Sequence, residues 1–298
     1  MSRKIVQIIE GLETSDGAGV KLRRIIGGPD LNMLDPFLLF DEFGSDDPND
    51  YIGGFPPHPH RGFETITYML NGKFKHKDSA GNEGYLTDGS VQWMTAGKGV
   101  IHSEMPEQTD GLSRGFQLWL NLPKNLKMID PSYNDIPAKS IPEIQIPGGY
   151  IKVICGEING IKGPGRAHTG MFYYDISLSP KNNIEISVDD HWNSFIYIYD
   201  GKARIADKGL NIGQLGVFSD TGKINLYVDS SINLKCIIVG GEKLNEPVAR
   251  GGPFVMNTKA EVLKAFSDYQ EGILTCLLYT SDAADDTPCV DLGGRRII

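Results

Sequence analysis

The sequence is short of cysteine, of histidine and of positive charge, and it has no long apolar run. None of its apolar stretches is long enough to cross a bilayer, and the start, Met1-Ser2-Arg3-Lys4-Ile5-Val6, lacks the apolar core of a signal peptide. The expectation is a cytoplasmic protein with no membrane partner. Lys and Arg number 29 against 38 Asp and Glu, a formal charge of −9. That argues against a nucleic-acid surface, which needs clustered cations to replace phosphate counterions. The nearest basic group, Lys21-Leu22-Arg23-Arg24, reads as the solvated face of a strand. Two of only four cysteines, Cys155 and Cys236, sit in apolar strand-like runs and read as buried thiols. The glycine-rich stretch 156–165 has no Gly-Lys-[Ser/Thr] opening a helix, so it is a connection and not a phosphate loop.

What the chain has is glycine (36), proline (17) and short β-branched runs, in a length of 298 residues that accommodates two domains. Strands are expected at residues 21–26, 37–43, 64–70, 73–77, 90–94, 99–105 and 115–122. Asn71-Gly72 reads as a hairpin turn that makes 73–77 the partner of 64–70. The polar, turn-prone stretch 44–54 would overhang the His-Pro-His strand described below and act as a lid. Short strands at this spacing predict an all-β sandwich or barrel.

The second half repeats the first: Tyr197-Ile198-Tyr199-Asp200-Gly201-Lys202 aligns with Tyr68-Met69-Leu70-Asn71-Gly72-Lys73. Near residue 258, Thr258-Lys259-Ala260-Glu261 fits a capping box. Val262, Leu263, Phe266 and Tyr269 follow as an amphipathic face, with Gly272 as the stop. This helix is expected to dock on a barrel.

Chemistry concentrates in residues 56–107, which hold four of the six histidines. Side chains two apart on a strand share a face. His58 with His60 in Pro57-His58-Pro59-His60, and His102 with Glu104 in Gly99-Val100-Ile101-His102-Ser103-Glu104, are therefore two pairs of ligands, each aimed one way. Together they offer three imidazoles and a carboxylate. That set suits iron, manganese, cobalt, nickel, copper or zinc and not calcium or magnesium. Four ligands around an ion that prefers six leave room for substrate and dioxygen, which favours iron(II). His76, flanked by lysines, reads as a solvated surface residue, and His168 and His191 match no ligand spacing. At the offset of the repeat, Ser187 and Asp189 stand where His58 and His60 do, so only the first copy is armed.

From Cys276 onward the text runs Cys-Leu-Leu-Tyr-Thr-Ser-Asp-Ala-Ala-Asp-Asp and ends in Val-Asp-Leu-Gly-Gly-Arg-Arg-Ile-Ile. Read back into codons, the first block resembles a transposon-end sequencing adapter and the last the reverse complement of a flow-cell primer. Residues 276–298, which include Cys276 and Cys289, are expected to be read-through and are excluded from fold reasoning.

Four longer blocks resemble the pirin family of bicupins. They are Asp35-Pro36-Phe37-Leu38-Leu39-Phe40-Asp41-Glu42-Phe43, Pro57-His58-Pro59-His60-Arg61-Gly62-Phe63-Glu64-Thr65, the run from Gln92-Trp93-Met94 through His102-Ser103-Glu104-Met105, and Gly252-Pro253-Phe254-Val255-Met256-Asn257-Thr258. The resemblance implies two tandem cupin jelly-roll barrels with a short C-terminal helix: residues 1–135 a metal-binding cupin, residues 136–275 a cupin without ligands. It implies one metal, generally iron, on His58, His60, His102 and Glu104. Cupins in general take the carboxylate from the first motif, here Glu64, and pirin-like chains do not, so Glu64 is expected in a supporting role.

Two functions follow from that resemblance. One is an oxidoreductase similar to quercetin 2,3-dioxygenase, in which Glu104 takes the 3-hydroxyl proton of a flavonol, or of a similar aromatic enol, before dioxygen cleaves the ring. The other is an iron-dependent, redox-sensing regulator that acts on a protein partner, for which an acidic surface is suited. A cupin that binds without turnover is a third reading, and fold alone does not choose among them.

Overall fold

In a computed structural model, residues 1–228 and 231–275 are described, and the adapter-like segment lies outside them. The first twelve strands are β1 (Ile5–Ile9), β2 (Leu12–Asp16), β3 (Val20–Ile26), β4 (Phe37–Ser45), β5 (Phe55–His60), β6 (Phe63–Asn71), β7 (Phe74–Asp78), β8 (Glu83–Leu86), β9 (Val91–Thr95), β10 (Val100–Pro106), β11 (Ser113–Asn121) and β12 (Ser132–Ile136). They form a seven-stranded sheet in the order β12-β9-β6-β11-β4-β3-β2 and a four-stranded sheet β5-β10-β7-β8, every pairing antiparallel. The two sheets close over each other as a jelly roll. A second pair of seven and four strands repeats the design in the second half, so the fold is two tandem cupin barrels, all β among the described residues apart from one α-helix and three short 3-10 turns.

Asn71-Gly72 is not the hairpin turn the sequence suggests. β6 pairs with β11 and β9, whereas β7 pairs with β10 and β8 in the other sheet. The dipeptide is a corner at which the chain changes sheets, and Gly72 takes the left-handed φ of +109° that the corner needs. The second half does the same at Gly201, φ +75°, between Asn193–Asp200 and Lys202–Ile205. The repeat therefore holds, with both copies turning a corner.

The segment 1–135 also lends a strand away. β1 pairs with Leu215–Phe218 at the edge of the second seven-stranded sheet. An edge pairing over this separation leaves no trace in the local pattern, which only says that Ile5–Ile9 is a strand.

Period-two alternation decides what each face of the first large sheet does. Phe40, Leu118 and Ile66 point away from the barrel into a core shared with Phe195, Tyr197 and Tyr173 of the second half. There Phe40 stacks on Phe116 at 5.6 Å and meets Phe195 at 5.2 Å and Tyr197 at 5.4 Å. Buried in the same interface, the Asp175 carboxylate accepts hydrogen bonds from the Tyr68 hydroxyl at 2.7 Å and the Tyr199 hydroxyl at 2.6 Å. One residue further along each strand, Asp41, Gln117 and Thr67 face the other way, into the first barrel.

The helix α1 (Lys259–Gln270) has its capping box, with Thr258 and Glu261 bonded reciprocally, and Gly272 follows at φ +74°. Its buried face is Val262, Ala265 and Asp268, while Leu263 is 68% exposed, so the expected stripe is rotated. Asp268 is drawn inward by Arg61, whose Nη1 donates to it at 2.7 Å. Phe266 packs on Phe254, which docks the helix beside the histidine strand. Among the described residues no helix is long and apolar enough to cross a membrane.

Candidate metal centre

β5 carries three prolines in Phe55-Pro56-Pro57-His58-Pro59-His60, which a central strand would not tolerate. It stands at the edge of its sheet and, among the described residues, pairs only with β10, where His102 lies opposite His58 and Val100 opposite His60. The register slips between His102 and Glu104, where the Pro56-Pro57 side has an extra residue. The strand pairing brings His58, His60 and His102 together: one ring nitrogen from each lies within 4.8 Å of the others. Ring centroids are 4.3 Å apart for His58 and His102, 5.0 Å for His60 and His102, and 4.7 Å for His58 and His60.

The hydrogen bonds show which nitrogens are left over. His58 Nδ1 is 2.8 Å from the Pro56 carbonyl and His60 Nδ1 is 3.4 Å from the Pro253 carbonyl. A carbonyl only accepts, so each Nδ1 carries the proton and each Nε2 keeps its lone pair, the arrangement typical of metal-bound imidazole. His102 is 1% exposed, and neither of its ring nitrogens has a partner among the described residues. An orphaned buried imidazole is costly, and a divalent ion at the convergence of the three rings would satisfy it. Burial first, and the neighbouring histidines second, push His60 and His102 well below the ordinary histidine range, which keeps the donors neutral. The residues fit a transition metal.

Glu104 is not in that close group of three. Its Oε1 accepts from Thr67 at 3.1 Å and Gln92 at 2.9 Å, Oε2 makes no hydrogen bond among the described residues, and the side chain lines the adjoining cavity. Glu64 is fully buried and not in the group either. It accepts from the Thr95 hydroxyl at 2.8 Å, the His168 amide at 3.1 Å and His168 Nδ1 at 2.9 Å, which ties the second half to the floor of the first barrel. His76 is no surface residue. It is wholly buried, stacks on Tyr133 at 4.1 Å, has Nε2 3.2 Å from Asp78 and lies 5.4 Å from the His102 ring. The alternation of β7, Phe74 and His76 inward with Lys75 and Lys77 outward, was the signal that could have found it.

Over the histidines lies a cavity of about 580 Å³. Phe43, Phe55, Phe74 and Leu86 make apolar walls, and Glu104, Thr67, Gln117, Asp41 and Arg24 make a polar one. No residue of 44–54 lines it, so that stretch is not the lid; Tyr51 is instead buried and bonded to the Gly111 carbonyl at 2.9 Å. The rim is the turn Asp16-Gly17-Ala18 and, from the second half, Arg250, Gly252 and Pro253.

The His168–Glu64 pair carries a pH signature. The hydrogen bond to Glu64 raises the pKa of His168 against partial desolvation. A raised folded value means that the contribution to stability is complete below the ordinary histidine pKa and is lost as pH rises through the folded one. The stability gap between wild type and His168→Gln should therefore narrow between pH 6 and pH 8.5, read by thermal unfolding at both.

The pirin family model matches residues 19–120, and the model of the pirin C-terminal cupin domain matches residues 173–275. A pirin-like protein of Caulobacter vibrioides is 45% identical, covering 91% of this chain and 98% of the relative. The chain belongs to the pirin family. Another pirin-like protein, from Solanum lycopersicum, is 40% identical over 91% of this chain and 92% of the relative. Among solved structures, a quercetin 2,3-dioxygenase from Acinetobacter baumannii superposes with a TM-score of 0.85 at 32% identity, covering 92% of this pirin and 99% of that chain.

Proposed function

We propose that this pirin is a metal-dependent oxidoreductase of the quercetin 2,3-dioxygenase type, acting on a flavonol or similar aromatic enol with dioxygen as co-substrate. The observation that carries the reading is the convergence of three imidazoles, one of them orphaned, at the base of a largely apolar cavity. His58, His60 and His102, joined by Glu104, would hold one divalent transition metal; iron(II) fits this nitrogen-rich, thiolate-free set best, and manganese, cobalt, nickel, copper and zinc fit it too. Residues 1–135 then act as the metal-binding cupin and residues 136–275 as its unarmed companion. Likeness to the Acinetobacter baumannii quercetin 2,3-dioxygenase supports the reaction type.

When bound, the metal supplies Lewis-acid polarisation and open positions for substrate and dioxygen. The rest is work for side chains. Thr67 and Gln92 hold Glu104 Oε1 and leave Oε2 to accept the enol proton, so that the substrate becomes an enolate and Glu104 a carboxylic acid. Phe43, Phe55 and Phe74 receive the aromatic body and exclude water from the enolate.

The test is to load the chain ending at Thr275 with metal and follow quercetin absorbance in air and under nitrogen, beside His58→Ala. Oxygen-dependent loss that disappears in the variant supports the enzyme. A fully loaded protein that never consumes quercetin rejects it and moves weight to the regulator acting through a protein partner.

A further inference from the structure

The polar wall of the cavity is an ordered row. Thr67, Gln117 and Asp41 stand directly opposite one another on β6, β11 and β4, and Arg24 follows opposite Asp41 on β3. Thr67 is the residue bonded to Glu104, so the row starts at the histidine end. Strands are spaced about 4.8 Å apart, which puts Asp41 about 10 Å from Thr67 and Arg24 one strand further.

Beyond Asp41, and on the wall supplied by the second half, donors are in surplus. Arg24 gives Nε and Nη2 to Asp41 at 3.0 and 2.7 Å, and Nη2 also to Asp16 at 2.8 Å; Nη1 has no partner among the described residues. Arg250, contributed by the second half, gives Nη1 to the Leu38 carbonyl at 3.1 Å, while its Nε and Nη2 have none. Its guanidinium lies 5.0 Å from the ring of Trp119, which in turn lies 5.1 Å from the His60 ring, and both arginines line the cavity. A guanidinium only donates, and two carboxylates hold Arg24 in place before any ligand arrives. The open valences therefore ask for an acceptor oxygen.

We infer that Arg24 and Arg250 form a second recognition point of this cavity and select aromatic enols that carry an acceptor oxygen, a phenol or carboxylate, some 10 Å from the metal-binding end. The inference rests on the proposed function and supplies the substrate class that reading leaves open. Between the two ends Gln117 stands in the polar wall and the rings of Phe43, Phe55 and Phe74 in the apolar ones, so the cavity admits a planar body and the arginines sort by its far substituent.

Affinities of the metal-loaded protein under nitrogen, read by fluorescence quenching, test this with 3-hydroxyflavone and its 7- and 4′-hydroxylated derivatives. At least one derivative should bind about tenfold or more tightly than the parent, the worth of a hydrogen bond to a charged donor. Arg250→Gln should bring that ratio near one while leaving the parent's affinity within about twofold, because the parent has nothing for the arginines to hold. Arg24→Gln should do the same, and Arg250, exposed at the rim, covers the case in which loss of the Asp41 partner disturbs folding. Equal affinities in the wild type, or a preference that survives both variants, overturn the inference and leave the proposed chemistry standing. If neither 3-hydroxyflavone nor any of its hydroxylated derivatives binds, the proposed function fails and takes this with it.

Discussion

His102→Ala is expected to lose its metal and, with it, all oxygen-dependent turnover. His102 contributes a fully desolvated imidazole with no other partner, so its removal should weaken metal binding beyond the 10- to 100-fold that losing an outer-shell partner costs. Thermal unfolding gives a readout independent of activity. A divalent ion at about 100 times its dissociation constant should stabilise the wild type by about 2.7 kcal/mol and the variant by nothing. Metal-dependent stabilisation that persists in His102→Ala would remove this residue from the site.

The second large effect lies away from the chemistry. Phe40→Ala should cost about 3–5 kcal/mol, because the ring is fully buried between Phe116, Phe195 and Tyr197 and its removal leaves a cavity among them. Against a total of about 5–15 kcal/mol that is a large share. Urea unfolding should show the midpoint fall with an unchanged slope, since the surface exposed on unfolding stays the same. A loss below about 1 kcal/mol would mean that the two barrels do not rely on this contact.

The histidine pairs were legible because side chains two apart on a strand share a face, and the all-β class because short strands recur between turns, while the tandem cupin jelly roll came from the family resemblance. His58, His60 and His102 were read from spacing, and the structure brings their rings together. His76 was misread because its lysine neighbours dominate the local composition, whereas a strand presents alternate residues to opposite faces. Asn71-Gly72 was misread for a different reason. The same left-handed backbone serves a tight hairpin and a sheet-to-sheet corner, and only the pairing of strands remote in sequence tells them apart. Leu263 was assigned to the buried face of the helix by hydrophobicity, yet Asp268, paired with Arg61, takes a buried position and Leu263 stays exposed. The cavity rim was not readable at all: Arg250 and Pro253 reach the first barrel from a segment more than 140 residues beyond the last of its three clustered histidines.

The placement of β1 bears on how the molecule can be made and cut. A ribosome releases Ile5–Ile9 long before Leu215–Phe218 exists, so the leading strand must wait without its partner while the barrel behind it closes. A fragment beginning after residue 135 would carry an unprotected edge along Leu215–Phe218, a template for pairing with other chains. To isolate the trailing barrel as a well-behaved piece, its designer would have to graft residues 1–11 onto it by circular permutation.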